Sequence, residues 1–497
     1  MKILITGGSG LLGKKLLRTL SFNNEVGGTY LSRPHENCKY LDVTDRKAVE
    51  RFIDLYRPDV IIHTAAMKNT DFCEENKELA WLVNVEGTKN LVDTGKKHST
   101  KFVYISSDYV FKGGDEPCDE EAKTNPINFY GLTKLEGERV VKEELINYII
   151  IRPTILYGYN DGNDETFITF MRRMIPQGAA KVDNYVKKYP LLIDDVASLI
   201  EKLLRNDERG TFHIGGKEGV TRYEWALKIA ETFGLAKSKI KPAKVQYKAP
   251  RPRNVQLQSS KKGRNELIIT SLEDGLTKVR MQEYCTFKLL YSSQPYESAM
   301  GVNVGLGRME LGKMLASIAL TNADMVVPIP ETGIFYAIGY SDASGIPLRF
   351  GVITKRYSKK TLFEPKYKKR IRALEEKLKV IPDIIKGKKV ILIDEAVLSG
   401  STLKIVIDKI KKSGAKKIHI RIPSPPVLYK CPCGEHPPSL KLISQSLMPK
   451  TIHADHSKIE NGLQRYFGVD SFRFLTPDAL SKKLPIKCLY CSNNQIP

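Results

Sequence analysis

Two segments, far apart in the chain, restrict its fold more than any other feature. Residues 2–17, KILITGGSGLLGKKLL, run a short apolar strand into a glycine turn and an amphipathic helix. Gly8, Gly10 and Gly13 have the spacing G-x-G-x-x-G, in which glycines permit a tight turn and a close approach to a pyrophosphate. The N-terminus of the following helix meets the charge of that group. Residues 390–404, VILIDEAVLSGSTLK, instead run four apolar residues into two acids and a loop of small and hydroxyl residues. Both units are strand–loop–helix elements of a parallel sheet, but their phosphate loops differ, so they are not an internal repeat.

A chain of 497 residues has room for two or three domains with sizeable cores. Its net charge of +23 favours anionic partners such as nucleotides and sugar phosphates. Nucleic acid is not expected, because no RNA-binding motif is present and aromatics are not interleaved with the basic runs. No window has the length and apolarity of a membrane span, and glycines break the first apolar run before it resembles an export signal. The expected location is therefore cytoplasmic and reducing, where cysteines serve as metal or cluster ligands more often than as disulfides. Five of the eight cysteines follow residue 280, which directs that expectation to the second half.

In the first half, further strands are expected at VGGTYL, PDVIIHTAA, KFVYISSDYVF and NYIIIRPTILYG, separated by helical patterns such as ENKELAWLVNVEGTKNLVDTGKKH. This alternation predicts a doubly wound parallel sheet. The second strand lacks an acid for a ribose 2′-hydroxyl, and Arg33 beyond it suits a 2′-phosphate, which favours NADPH over NADH. Tyr130 and Lys134 are four residues apart and share a helix face. A nearby ammonium lowers a phenol's pKa, so Tyr130 is expected to donate a proton to a carbonyl that Ser107 holds.

Carried by ILITGGSGLLG, LDVTD, PDVIIHTAA, ISSDYVF, NPINFYGLTKLEGE, APRPRNVQLQSSK and TSLEDGLTKV, residues 1 to about 281 resemble the extended short-chain dehydrogenase/reductases. The likeness is to dTDP-4-dehydrorhamnose reductase and its relative, the regulatory beta subunit of methionine adenosyltransferase. It implies a catalytic set of Ser107, Tyr130 and Lys134. It also implies a cofactor site formed by Gly7, Gly10, Leu11, Leu12, Gly13, Arg33, Asp42, Val43, Ala65 and Ala66, together with Tyr130 and Lys134. Ile155 stands where those reductases usually carry tryptophan, so the sugar-binding surface is altered.

In the second half, Asp394 and Glu395 at a strand end can accept hydrogen bonds from two vicinal ribose hydroxyls. Ser399, Gly400, Ser401 and Thr402 offer N–H groups and hydroxyls to a phosphate at the helix start. Together with VVPIPETGIFYAIGYSDASGIPLRFGVITKRYSKKTLFEP and GAKKIHIRIPSPPVLYKC, this pattern resembles the phosphoribosyltransferase half of glutamine 5-phosphoribosyl-1-pyrophosphate (PRPP) amidotransferase. By that likeness Glu331, Thr332 and Gly333 form a pyrophosphate loop. Lys355, Arg356, Lys359 and Lys360 belong to a closing loop that neutralises the leaving diphosphate, usually with Mg. Ala396 and Ser399 replace the family's usual serine and arginine, and no glutaminase domain precedes this half.

CLYC at Cys488 and Cys491, with Cys285 and the CPC of Cys431 and Cys433, permits by spacing zinc, a [4Fe–4S] cluster or neither. The iron–sulfur type of the same amidotransferases implies a cluster on Cys285, Cys431, Cys488 and Cys491, with Cys433 as a substitute for Cys431. His436 reads as loop surface.

The expected fold is α/β: a Rossmann-type domain over 1–281 and a type I phosphoribosyltransferase-like domain over 282–497, abutting without a Pro/Gly/Ser-rich linker. The expected function is bifunctional. NADPH-dependent reduction of a nucleotide-linked keto-sugar is joined to transfer of a PRPP-like sugar to ammonia or an amine, in a homo-oligomer. The alternative is a regulatory or scaffold protein that binds NADP and PRPP without turnover.

Overall fold

The computed structural model describes residues 1–159, 166–178, 180–260, 268–299, 301–355, 367–431, 441–447, 456–483 and 488–493. The chain divides into two compact units, Met1–Arg280 and Met281–Pro497.

The first unit is built on strands β1 (Lys2–Thr6), β2 (Glu25–Tyr30), β3 (Cys38–Tyr40), β4 (Val60–His63), β5 (Lys101–Ile105), β6 (Tyr148–Pro153) and β7 (Gly210–Ile214). They form one parallel sheet in the order β7-β6-β5-β4-β1-β2-β3. The order reverses between β1 and β4, the position at which doubly wound sheets open a crevice for ligands. Both faces are covered, which is why β1 is an unbroken apolar run. Ile3 and Ile5 face helices α1 (Leu11–Leu20) and α3 (Ile193–Arg205), whereas Leu4 faces Val49, Ile53, Leu91 and Phe102. Helix α1 turns Leu12, Leu16, Leu17 and Leu20 inward, the stripe expected of an amphipathic helix. Helix α2 (Phe129–Glu144) packs between β5 and β6 and carries Tyr130 and Lys134.

Two details depart from the sequence reading. β3 and β7 extend the sheet at its two edges, one after VGGTYL and one after the expected NYIIIRP strand. The helical pattern over residues 75–98 is interrupted by a wider π-type turn at Leu82–Glu86. Buried Asn84 in that turn donates to Met67 O and Thr133 Oγ1, both at 3.0 Å, and so ties the turn to α2. Such turns recur where a helix must place a side chain out of regular phase.

The second unit has four parallel strands in sequential order: β8 (Met325–Pro328), β9 (Lys389–Ile393), β10 (Lys417–Ile422) and β11 (Ser471–Phe474). Here too the apolar run serves two faces. Val390 and Leu392 meet Leu403, Val406 and Ile410 of α6 (Ser401–Lys412). Ile391 and Ile393 meet α4 (Val304–Ile318) and α5 (Gly333–Ser344) through Leu311, Leu315, Tyr336 and Tyr340. Among the described residues no helix is long and apolar enough to cross a membrane.

Leu4 is fully buried. Leu4→Ala is expected to lower the unfolding free energy by about 2–5 kcal/mol, read by urea denaturation. A loss below about 0.5 kcal/mol, typical of surface positions, would contradict the two-sided packing of β1.

Candidate functional sites

The glycine turn after β1 is shaped by backbone contact. Gly7 has φ +68°, and a Cβ there would lie 2.7 Å from Ala65 N, beyond the end of β4. A Cβ on Gly13 would lie 2.2 Å from Gly7 O, so only glycine lets α1 start this close to the strand. Gly10 meets nothing nearer than 3.3 Å and begins α1 without a side-chain cap. First-turn N–H groups at an uncapped helix start can bind an anion. Gly7, Gly10, Gly13 and Ala65 are thus brought together, with Ala66 next in line. Leu12 is buried in the core and Leu11 lies partly buried beside it. After β3, Asp42 Oδ1 accepts from Thr44 N and Oγ1 at 2.9 and 2.8 Å, while Val43 is buried against Gly87. Arg33 is exposed beyond β2.

Ser107 follows β5, and its Oγ accepts from Tyr109 N at 3.2 Å and donates to Asp108 Oδ1 at 3.0 Å. Asn128 caps α2, accepting from Gly131 N at 2.8 Å and donating to Pro250 O at 2.9 Å, which fixes the turn bearing Tyr130. The Tyr130 ring meets Tyr109 edge-on at 5.8 Å. Burial pushes its phenol above the usual value, and the hydrogen bond with Ser107 opposes that shift. Lys134 is 3% exposed, with Nζ 4.2 Å from the centre of the Tyr104 ring. Burial lowers its pKa to about 7, and Glu138 opposes the shift. The expectation that Lys134 depresses the Tyr130 pKa is therefore corrected. Desolvation dominates at both groups, and Ser107 is the neighbour that draws the phenol down.

Beside Tyr109 lies a pocket lined by Asp183, Lys188, Arg222, Tyr247 and Arg251. Lys188 Nζ donates to Tyr109 Oη at 3.1 Å, and Arg251 pairs with Asp71 at 2.8 Å. Arg251 Nη1 is buried without a hydrogen-bond partner, which suits an anionic ligand. Sequence reading did not single out these side chains, because they come from separated segments. Ile155 packs with Tyr157, Trp225 and Ile168.

In the second unit, β8 and β9 pair with Pro328 opposite Ile393, so both following loops leave the same edge of the sheet. A Cβ on Gly333 would lie 2.5 Å from Ile393 O and 3.7 Å from Asp394 Cα. This approach puts the 331–333 loop beside the acid pair. Glu331 is exposed and Thr332 precedes α5 as its cap. Asp394 and Glu395 are 6% and 8% exposed. Glu395 N donates to Asp394 Oδ1 at 3.1 Å, and Glu395 Oε2 is buried without a partner. Burial, then the adjacent Glu395, push the Asp394 carboxyl well above the usual carboxylate range.

Gly400, at φ +71°, begins α6; Ser399 Oγ and Ser401 Oγ are 3.1 Å apart, and Thr402 follows in the first turn. Ala396 and Leu398 pack against Phe287, Val427 and Leu442, so an apolar residue at 396 has a packing reason. Lys355 N donates to Lys377 O at 2.8 Å, closing the antiparallel pair of Val352–Thr354 with Leu378–Val380. Arg356, Lys359 and Lys360 lie outside the described residues.

Cys285, Cys431, Cys488 and Cys491 line one cavity together with Met281, Phe287 and Val427. All four are thiols rather than disulfide partners. Cys285 and Cys488 pair as neighbouring parallel residues, and Leu428 N and Tyr429 N donate to Cys491 O at 2.7 and 3.0 Å. The Cys431 thiol, burial, and the Cys285 and Cys488 thiols together push the Cys491 thiol far up. Among the described residues no three or more His, Cys, Asp or Glu side chains are grouped to hold a metal ion. Cys433 and His436 lie outside the described residues.

The acid pair has a stability consequence. A carboxyl with a raised folded pKa binds its proton more tightly folded than unfolded, so stability falls as pH rises above the unfolded value of about 3.9. Asp394→Asn removes that penalty and is expected to stabilise the protein by about 1 kcal/mol or more at alkaline pH, with the gain vanishing towards pH ~4. Urea midpoints that coincide for parent and variant at alkaline pH would contradict the charge assignment.

Comparison with known proteins parallels the two units. The RmlD substrate binding domain model matches residues 1–284, and the phosphoribosyl transferase domain model matches residues 306–423. Methionine adenosyltransferase 2 subunit beta of Bos taurus is 34% identical over 270 residues, covering 52% of this chain and 81% of that protein. A dTDP-4-dehydrorhamnose reductase from Bacillus anthracis, solved in complex with NADP, is 29% identical with a TM-score of 0.51, covering 57% of this chain and 99% of that one. Amidophosphoribosyltransferase of Bacillus subtilis is 31% identical over 245 residues, covering 47% of this chain and only 49% of that protein. With its glycine turn, its Ser107–Tyr130–Lys134 set and a model match over more than half its length, the chain belongs to the RmlD substrate binding domain family and carries a phosphoribosyl transferase domain behind it.

Proposed function

We propose that the chain is a two-site enzyme in which the first unit reduces a nucleotide-linked keto-sugar and the second transfers a sugar from an anomeric diphosphate to ammonia or another amine. The observation that supports the first half is that Ser107, bonded to Tyr130, follows β5 at the same end of the parallel sheet as the uncapped, glycine-opened start of α1, with Lys134 over the Tyr104 ring. NADPH, when bound, supplies the hydride. Its pyrophosphate would lie on the first turn of α1 against Gly10, its adenosine end by Asp42 and Val43, and its 2′-phosphate near Arg33. The NADP complex of the Bacillus anthracis neighbour supports that choice.

Ser107 would donate to the substrate carbonyl oxygen while Tyr130 passes its phenolic proton to the same atom as negative charge develops there. A phenol raised by burial keeps its proton until the oxygen becomes basic enough to take it. Lys134, with a pKa of about 7, would hold ribose hydroxyls and be poised to replace that proton. The cationic pocket of Lys188, Arg222 and Arg251 supports a substrate with a diphosphate, and Tyr109 and Tyr247 offer faces for a base.

In the second unit, Asp394 and Glu395 would accept from the two ring hydroxyls, the unpartnered Glu395 Oε2 taking one of them. Residues 399–402 would bind the sugar phosphate and Glu331–Gly333 the diphosphate. As the bond from C1 to that diphosphate breaks, the amine nitrogen forms its bond to C1 and loses a proton. Ser399, where the resembling family usually carries arginine, supports a donor that differs from PRPP, such as the sugar the first unit has reduced. Mg is the expected companion of the diphosphate, and among the described residues the protein offers no group of three ligands for it.

The four thiols that line one cavity support a [4Fe–4S] cluster as its occupant, since such a cluster takes four thiolate ligands. Cys285, Cys431, Cys488 and Cys491 would hold it, and it would act as a cross-link.

A regulatory reading is favoured by the 34% identity to methionine adenosyltransferase 2 subunit beta and by Ile155. Tyr130→Phe separates the two. Catalysis requires a loss of about 10²–10⁴-fold in NADPH oxidation with keto-sugar, with NADPH binding retained; unchanged turnover supports the regulatory reading. Diphosphate release from PRPP alone, and not from nucleotide sugars, would sink the shared-sugar version, while Asp394→Asn should abolish release from either. Anaerobically purified chain should carry about four irons with matching sulfide, lost in Cys491→Ser.

A further inference from the structure

Glu138 is 0% exposed on α2, and Arg152 of β6, 3% exposed, grips it with both arms. Arg152 Nε donates to Oε1 at 2.8 Å and Nη2 to Oε2 at 2.7 Å. The same Oε1 accepts the Ser106 hydroxyl at 2.6 Å. Ser106 is the residue before Ser107, and its N–H donates to Ile151 O at 2.7 Å. Glu138 lies one helical turn beyond Lys134 and two beyond Tyr130. One carboxylate therefore ties together the strand end that bears Ser107, the helix that bears Tyr130 and Lys134, and β6.

Arg152 is itself held from behind. Its Nη1 meets His213 Nε2 at 3.2 Å, and His213 Nδ1 faces the carbonyl oxygens of Cys118 and Gln258 at 3.1 and 3.2 Å. Two acceptors at Nδ1 place the ring proton there, leaving Nε2 to accept from the guanidinium. A buried ion pair of this kind is weak as a stabiliser compared with apolar residues of the same shape, so its presence beside the reactive set calls for another role.

We propose that Glu138 is a positioning residue of the reductase site, fixing Ser107 relative to Tyr130 through Ser106 and placing a carboxylate one helical turn from Lys134. The inference rests on the reductase reading of this site. Lys134 faces the Tyr104 ring on β5, His63 on β4 and Glu138 on its own helix. His63 bonds Thr6 Oγ1 at 2.7 Å and Thr88 Oγ1 at 3.1 Å; burial, and secondarily Lys134, lower its pKa to about 3, so it adds no charge. Glu138 supplies the charge that opposes the desolvation of Lys134. Removing it would also leave Arg152 unpaired, which acts on Lys134 in the same direction.

The test uses the full chain. Acetic anhydride labelling across the neutral pH range, read at Lys134 by peptide mass spectrometry, gives its titration midpoint, and fluorescence gives NADPH binding at the same pH values. In Glu138→Gln the midpoint is expected to fall by about one pH unit, with NADPH binding weakened about tenfold at neutral pH and regained on acidification. Glu138→Asp keeps the charge and should hold the midpoint while its shorter arm releases Ser106, so turnover falls and binding does not. That variant also serves if Glu138→Gln does not fold, since a midpoint displaced in Glu138→Asp would overturn the proposal. So would an unchanged midpoint in Glu138→Gln, or an equal displacement in Glu144→Gln at the exposed end of the same helix. A parent chain whose Lys134 titrates as expected but which binds no NADPH overturns the reductase reading instead.

Discussion

A helix that begins within van der Waals reach of a parallel strand's end is the condition on which both sites depend. Gly13 achieves this against Gly7 O in the first unit, and Gly333 achieves it against Ile393 O in the second. Any Cβ at either position would push the helix off the sheet and carry its first-turn amides away from the strand end. Parallel pairing then does the rest. Thr6 opposite His63 and Pro328 opposite Ile393 bring a second loop to the same edge, so the chemistry need not be supplied by neighbouring sequence. Two loops of unrelated sequence thus share one steric solution.

That solution is local, and this explains what the sequence disclosed. The strand–glycine–helix unit, the Tyr130–Lys134 spacing and the Asp394–Glu395 step each lie within a few residues. That four separated thiols line one cavity was legible only by resemblance, since spacing alone does not bring them together. What could not be read depends on segments meeting from afar. Lys188, Arg222 and Arg251 gather around Tyr109 only after folding. The direction of the Tyr130 shift was missed for the same reason, because the ring of Tyr104 and the enclosure around Lys134 are tertiary facts. The π-type turn at Leu82–Glu86 answers a tertiary demand, the bond from Asn84 to Thr133, that helical periodicity does not contain.

The two units treat buried carboxylates in opposite ways. Glu138 is fully bonded, by Arg152, Ser106 and Lys142, and has nothing left to offer a ligand. Asp394 and Glu395 face one another with an oxygen unpartnered, an arrangement that only a donor from outside can relieve. A closed charge makes a frame, and an open pair keeps an oxygen able to accept. The distinction can be read directly from hydrogen-bond partners.

The cysteine cavity sets an order of events during synthesis. Thr286 Oγ1 donates to Cys488 O at 2.6 Å across a separation of 202 residues, so one wall of the cavity leaves the ribosome long before the other. Closing so long a loop is a late step in folding. Until then Cys285 lacks the neighbours that bury it in the finished fold. The cavity is therefore a product of the whole second unit, since neither wall encloses anything until the other has been made.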